Sequence, residues 1–192
     1  MMLYRIGYLI ITIVFFAACE NNSKTEQQKL ETKKDTVTVQ LSECETLLKE
    51  AKQSDDILMK ATDVNKNVAE TAIINFYNFS NICKTDSLAP VFLVKAGQVA
   101  QTIGQYSQAQ AFFVKCKDEF PDFKNRGAAL FLLAQLYDDA SKLNNESEAR
   151  TIYNQIIREY PKSTFASDSK ACIQNIGKTD EQLVQEFLKK NK

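Results

Sequence analysis

From about Leu41 onward, apolar residues recur at three- and four-residue intervals, the spacing that returns side chains to one face of an α-helix. The pattern predicts a helix around Ser42–Lys60, a second carrying Ala72, Phe76 and Phe79, and then two longer blocks that each end in a proline, Pro121 and Pro161. After Pro161 it predicts a helix from about Ser163 to Asn175, with Phe165, Ala166, Cys172, Ile173 and Ile176 on one face and Asp168, Lys170 and Gln174 on the other. Gly177 ends that helix, and Thr179-x-x-Gln182 is a capping box opening a terminal helix with Leu183, Val184, Phe187 and Leu188. Before Leu41 the pattern changes. Glu20 to about Gln40 is polar and charged, too poor in apolar residues to offset its own ordering entropy, and reads as a flexible tether about 25 Å from end to end. Residues 1–18 read as a signal peptide, with a positive start at Met1–Arg5, an apolar stretch Ile6–Phe16 and the small pair Ala17-Ala18. That apolar stretch is too short to cross a hydrocarbon core, which takes about 20 residues.

The two proline-ended blocks repeat one another. Leu93, Ala96, Gly97 and Ala100 precede Gly104-x-Tyr106, Ala109, Phe113 and Pro121; Leu130, Leu133, Ala134 and Tyr137 precede Ala149, Tyr153 and Pro161. Small residues at Gly97, Ala109, Ala134 and Ala149 let antiparallel helices approach, while Phe113 and Tyr153 fill the space beside them. This spacing resembles the tetratricopeptide pattern. Leu93 to Leu130 and Ala72 to Ala109 are 37 residues apart and Ala109 to Ala149 is 40, which places the extra length in turns at Asp122–Arg126 and within Asp138–Ser147. The expected organisation is a helical domain over 41–192, with clear repeats at about 90–121 and 127–161, a degenerate one at about 42–84 and a cap at about 163–190. The fold class is all-α, an antiparallel helix-hairpin array of right-handed superhelical form with a C-terminal capping helix.

Residues 90–190 are similar to the tetratricopeptide proteins of the Gram-negative envelope, of the outer-membrane assembly lipoprotein and Tol–Pal coordinator types. Gly104-Gln-Tyr-Ser-Gln-Ala, the run from Ala149 to Pro161, and Ser163 with Ala166 carry the resemblance. Phe16-Ala17-Ala18-Cys19 resembles the bacterial lipobox, with Phe16 where leucine is usual. That resemblance implies cleavage before Cys19, acylation there, and an anchor in the lipid bilayer.

Composition narrows the chemistry. A hydrophobic content of 44% with only 5 Gly and 3 Pro suits a packed helical protein. Lysine plus arginine equals aspartate plus glutamate at 24 each, and removal of residues 1–18 leaves 23 against 24, so no basic excess is available for nucleic acid. Histidine is absent, which removes the commonest general base and zinc ligand. No cofactor, metal site or catalytic residue is expected. Asp55-Asp56 and Asp138-Asp139 are adjacent on helices, diverge by about 100°, and read as solvated or helix-end charge. Cys44, Cys83, Cys116 and Cys172 allow three pairings in an oxidising compartment, but Cys116 at a small core position and Cys172 on an apolar face favour buried thiols.

In repeats of this type the first helix of each hairpin faces a concave groove. Here Val94, Gln98, Gln101, Phe131, Gln135 and Asp138 are expected to line it, Phe131 having an inward core position as its alternative. The functional expectation is a non-catalytic scaffold that binds other envelope proteins, anchored through Cys19 in the outer membrane and facing the periplasm. A glycan-binding accessory lipoprotein is the alternative.

Overall fold

The computed structural model describes residues 43–63 and 65–190. The expected signal peptide, Cys19 and the tether lie outside the described residues. All regular structure among the described residues is helical. α1 covers residues 43–60, α2 Lys66–Ile82, α3 Ala89–Thr102, α4 Tyr106–Glu119, α5 Arg126–Asp138, α6 Glu146–Glu159, α7 Thr164–Asn175 and α8 Asp180–Lys190.

Helix starts follow local chemistry. The side chains of Asn65, Asn145 and Ser163 accept from the amides of Val68, Glu148 and Ala166 at 3.0, 3.2 and 3.2 Å, satisfying donors that have no partner inside the helix. The capping box forms in both directions: Thr179 N donates to Gln182 Oε1 at 2.9 Å and Gln182 N to Thr179 Oγ1 at 3.3 Å. α4 and α6 stop at Glu119 and Glu159, two residues before Pro121 and Pro161.

The helices pack in chain order from α2 to α7, with α7 also reaching α5. Along that stack runs one core containing Phe76, Phe79, Leu93, Phe113, Leu130, Leu133, Leu136, Tyr153 and Ile156, all under 2% exposed. The small residues sit where close approach needs them. A Cβ added at Gly97 would lie 2.4 Å from Phe113 Cε1, and Ala96, Ala100, Ala109, Ala134 and Ala149 are fully buried. Arg126 ties successive hairpins, donating through Nε to the Lys117 carbonyl at 3.2 Å and through Nη1 to Glu159 at 2.6 Å and to Tyr160 Oη at 3.2 Å.

α1 joins α2 and α3 by three kinds of contact. Ala51 is fully buried, Asn75 donates to Ser54 at 2.9 Å, and Lys95 of α3 pairs with Asp55. Asp55 is therefore half-buried in a cross-helix ion pair rather than simply solvated, whereas Asp56 is exposed. A disulfide joins Cys44 to Cys83 with their Cα atoms 5.7 Å apart. This corrects the expectation of buried thiols at those two positions. The antiparallel turn between α1 and α2 brings the first turn of α1 beside the C-cap of α2, across a separation of 39 residues that local spacing does not reveal. Cys116 and Cys172 are free, and burial pushes the Cys116 thiol up to about 12.

At the other end α7 packs on α6 and α5, and α8 extends beyond it with Val184, Phe187 and Leu188 at 55%, 67% and 50% exposure. No helix among the described residues is long and apolar enough to cross a membrane.

Candidate partner-binding groove

The 40-residue interval between Ala109 and Ala149 places its additional residues at the turn between α5 and α6, and that turn shapes a site. Residues 139–145 fold back on the end of α5: Leu143 N donates to the Leu136 carbonyl at 3.3 Å and Asn145 N to the Tyr137 carbonyl at 2.7 Å. Asn144 takes a positive φ of 47°, a conformation that asparagine tolerates better than most residues. This satisfies carbonyls at the helix end and projects Ala140, Lys142 and Asn144 as one wall of an open groove of about 830 Å³.

Gln101 from α3, Gln135 and Asp138 from α5, and Cys172 and Asn175 from α7 also line that groove, so first helices of successive hairpins converge on it. Tyr153 reaches in from α6, and Gly177, Thr179, Glu181 and Leu183 close the far side. Of the six expected residues, three are therefore brought together. Gln98 is exposed but lies off the groove, and Val94 is half-buried against the core. Phe131 takes its core alternative: its ring is 5.8 Å from Tyr153 and 5.6 Å from Phe165, filling the seam between α5, α6 and α7.

The electrostatics of the groove are uneven. Lys142 is engaged by Asp139 at 2.9 Å and Lys178 by Glu186 at 2.7 Å. Asp138, Glu146 and Glu181 form no ion pair among the described residues, so the lining carries excess negative charge. Asp138 accepts from Tyr153 Oη at 3.2 Å, but burial raises its pKa from the ordinary value despite that bond. Its neighbour behaves oppositely. Asp139 caps the turn, accepting from Ser141 N and Oγ at 2.9 and 2.6 Å, and with Lys142 nearby its pKa falls to about 2. Two adjacent aspartates thus hold unlike environments and do not converge as a catalytic pair. The Tyr153 phenol is pushed upward, chiefly by burial.

Tyr153, Cys172 and Leu183 were not among the expected lining residues. The repeat pattern gives Tyr153 as a core filler, and it is one, fully buried; its hydroxyl connects the core to the groove by donating to Asp138. Among the described residues there is no cluster of three or more cysteine, aspartate and glutamate side chains placed to hold a metal.

Comparison with known proteins identifies one family. Residues 128–163, which include most of α5, all of α6 and the turn that follows, match the tetratricopeptide repeat. Neither the curated proteins nor the solved structures yielded a match.

Proposed function

We propose that the chain, an all-α array of helical hairpins whose residues 128–163 match the tetratricopeptide repeat, a module that serves protein–protein interaction, is a lipid-anchored scaffold of the bacterial envelope that holds an extended segment of a partner protein in the groove between α5 and α8. The convergence of Gln101, Gln135 and Asp138 at one groove carries the reading. Amide side chains there satisfy the backbone of an extended segment, and the excess carboxylates favour one bearing lysine or arginine. Asp138 gains most from such an occupant, because a cation beside a partly desolvated carboxylate relieves the cost that raises its pKa.

The lipobox-like ending at Cys19 supports the anchor, and the Cys44–Cys83 disulfide supports an exported location, since such bonds persist in oxidising compartments. An outer-membrane anchor facing the periplasm is the location we assign.

The test is cross-linking of the partner in whole membranes, followed by charge reversal in the groove. Asp138→Lys with Gln135→Lys should cut partner recovery by about ten-fold or more, as loss of a charged contact does at buried sites. Gln98→Lys, off the groove, should leave it unchanged. Cys172 gives an independent readout: occupancy of the groove should slow its alkylation, while Cys116 reacts only after unfolding. Recovery that survives the double reversal and is lost on substitution of Lys115 or Arg150, on second helices, would transfer the working surface to the opposite face.

A further inference from the structure

Successive repeats of the array differ in a correlated way at the groove. Phe113 and Tyr153 hold the same place on α4 and α6, each four residues after its alanine, Ala109 or Ala149, and both are fully buried. A phenylalanine ring therefore meets the packing need at that place, and the Tyr153 hydroxyl is surplus to it. A buried hydroxyl is costly unless it is bonded, and this one donates to Asp138 Oδ2 at 3.2 Å. Counting back 37 residues, the interval between Leu93 and Leu130, the counterpart of Asp138 in the preceding repeat is Gln101. A phenyl ring and a neutral amide in one repeat thus become a hydroxyl and a carboxylate in the next, and the two new groups are bonded to each other.

Asp138 is poorly placed for its own ionisation. Burial opposes its charged form, and as the last residue of α5 it also meets the negative end of the helix dipole. Glu146 of α6 and Asp139 of its own turn face it with like charge and Arg150 of α6 with opposite charge, while Cys172 of α7 stands beside the Tyr153 hydroxyl. The hydrogen bond from Tyr153 favours the carboxylate against this opposition. It also removes freedom. The carboxyl torsion of an aspartate is broad, and anchoring Oδ2 leaves Oδ1, which has no hydrogen bond among the described residues, as the oxygen for an occupant of the groove. We propose that Tyr153 is the positioning residue of the groove, its hydroxyl holding the Asp138 carboxylate ionised and oriented for a lysine or arginine of the bound segment. This rests on the reading of the groove as a site for a cationic segment. A residue in the core then sets both the affinity of the site and the pH at which it releases its occupant. As pH falls through the Asp138 pKa the carboxyl takes a proton and the cation loses its partner; without the Tyr153 bond that pKa lies higher, so release comes earlier in the fall.

The full chain, extracted from membranes in a non-ionic detergent, is titrated with a synthetic peptide of alternating lysine and serine from pH 4 to 8. At pH 7 Asp138→Asn should weaken binding by about ten-fold or more. Tyr153→Phe, which keeps the ring packed against Phe131, should weaken it by about five-fold, the loss of one hydrogen bond to a charged group. It should also move the acid loss of binding to higher pH, by about half a unit or more. In the Asp138→Asn background the same change should have no further effect. Ile156→Val, a fully buried change on the same helix, is the control for packing: it should lower the melting temperature and leave affinity and pH midpoint as they were. Unchanged affinity and midpoint in Tyr153→Phe, where Asp138→Asn weakens the complex, overturns the role of Tyr153 and leaves the groove reading intact. An equal loss from Tyr153→Phe with and without the Asp138 carboxylate overturns it as well, because packing and not the bond is then responsible. A peptide affinity indifferent to Asp138→Asn removes the cationic occupant, and the proposal with it.

Discussion

Single atoms decide the stability of the helix contacts. Glycine inside a helix ordinarily costs about 0.5–1 kcal/mol relative to alanine, so Gly97→Ala would be expected to stabilise α3. Here the new Cβ falls 2.4–2.8 Å from three atoms of the fully buried Phe113 ring, and in a close-packed core the clash wins. Gly97→Ala should therefore lower stability in a denaturant titration, by about 1–3 kcal/mol if it behaves as other overpacked sites do. Ala134→Phe should cost a similar amount and Gln98→Phe little, because Ala134 is fully buried and Gln98 exposed; equal shifts at Ala134 and Gln98 would show the repeat register to be wrong. The two adjacent aspartates give a pH test of opposite signs. Asp138, raised by burial, binds its proton more tightly in the folded state, so folding stability falls as pH rises through its elevated pKa. Asp139, lowered from 3.8 to about 2, contributes stability that is complete above about 3.8 and is lost as pH falls toward 2. Asp138→Asn should thus stabilise the protein at neutral pH and lose that advantage in acid, and Asp139→Asn should destabilise it at neutral pH. Thermal melts of both variants from pH 2 to 7 read this directly. A groove residue whose replacement stabilises the fold is one retained for another purpose.

Helices and their joints were unequally legible in the amino-acid order. Periodicity and capping residues placed α1, α7 and α8 close to their observed limits, because Ser163, Thr179 and Gly177 act through neighbours within three or four residues. The spacing of Gly97, Ala109, Ala134 and Ala149 likewise marked the hairpin contacts, since close packing leaves no substitute for a small side chain. Pairings between residues distant in sequence were not legible. The disulfide, the Asp55–Lys95 ion pair and the Tyr153–Asp138 bond join positions 39, 40 and 15 residues apart, and no local pattern carries them. The groove was half legible for the same reason: first-helix positions came from the repeat, whereas Cys172 and Leu183 enter from α7 and α8. The disulfide has its own consequence for α1. Closing a loop of 39 residues removes denatured-state entropy worth about 4 kcal/mol on the chain-entropy account. Cys44→Ser with Cys83→Ser should therefore lower stability by about 2–4 kcal/mol. Amide exchange should rise first in residues 43–60, whose described contacts to the other helices include the buried Ala51, the Ser54–Asn75 bond and the Asp55–Lys95 pair, while α5 and α6 stay protected. Uniform loss of protection along the chain would show that α1 is an integral part of one cooperative unit.

At the scale of the whole molecule, the proposed anchor and the groove act through different residues, and this separates them experimentally. The described core begins in α1, beyond Cys19 and the polar stretch that follows it, and the residues that build it all belong to the described helices and their turns. Cys19→Ala should therefore yield a protein with the melting temperature of the anchored form that no longer sediments with membranes. Its groove should keep its intrinsic affinity, and Asp138 should remain sensitive to a cationic segment, with binding that weakens as salt rises because the carboxylates are open to solvent on one side. What it should lose is local concentration. On the proposed reading an anchored scaffold and an envelope partner meet at one membrane surface, whereas a released one must find the same partner in bulk, so partner recovery from cells should fall even though affinity measured on the purified protein does not. Three measurements fix the outcome: membrane sedimentation, the melting curve, and binding of a lysine-rich peptide in 50 and 300 mM salt. Retention of the Cys19→Ala protein in the membrane fraction refutes the lipid anchor. A peptide affinity indifferent to both salt and Asp138→Lys refutes the cationic occupant, and leaves the anchor standing on its own test.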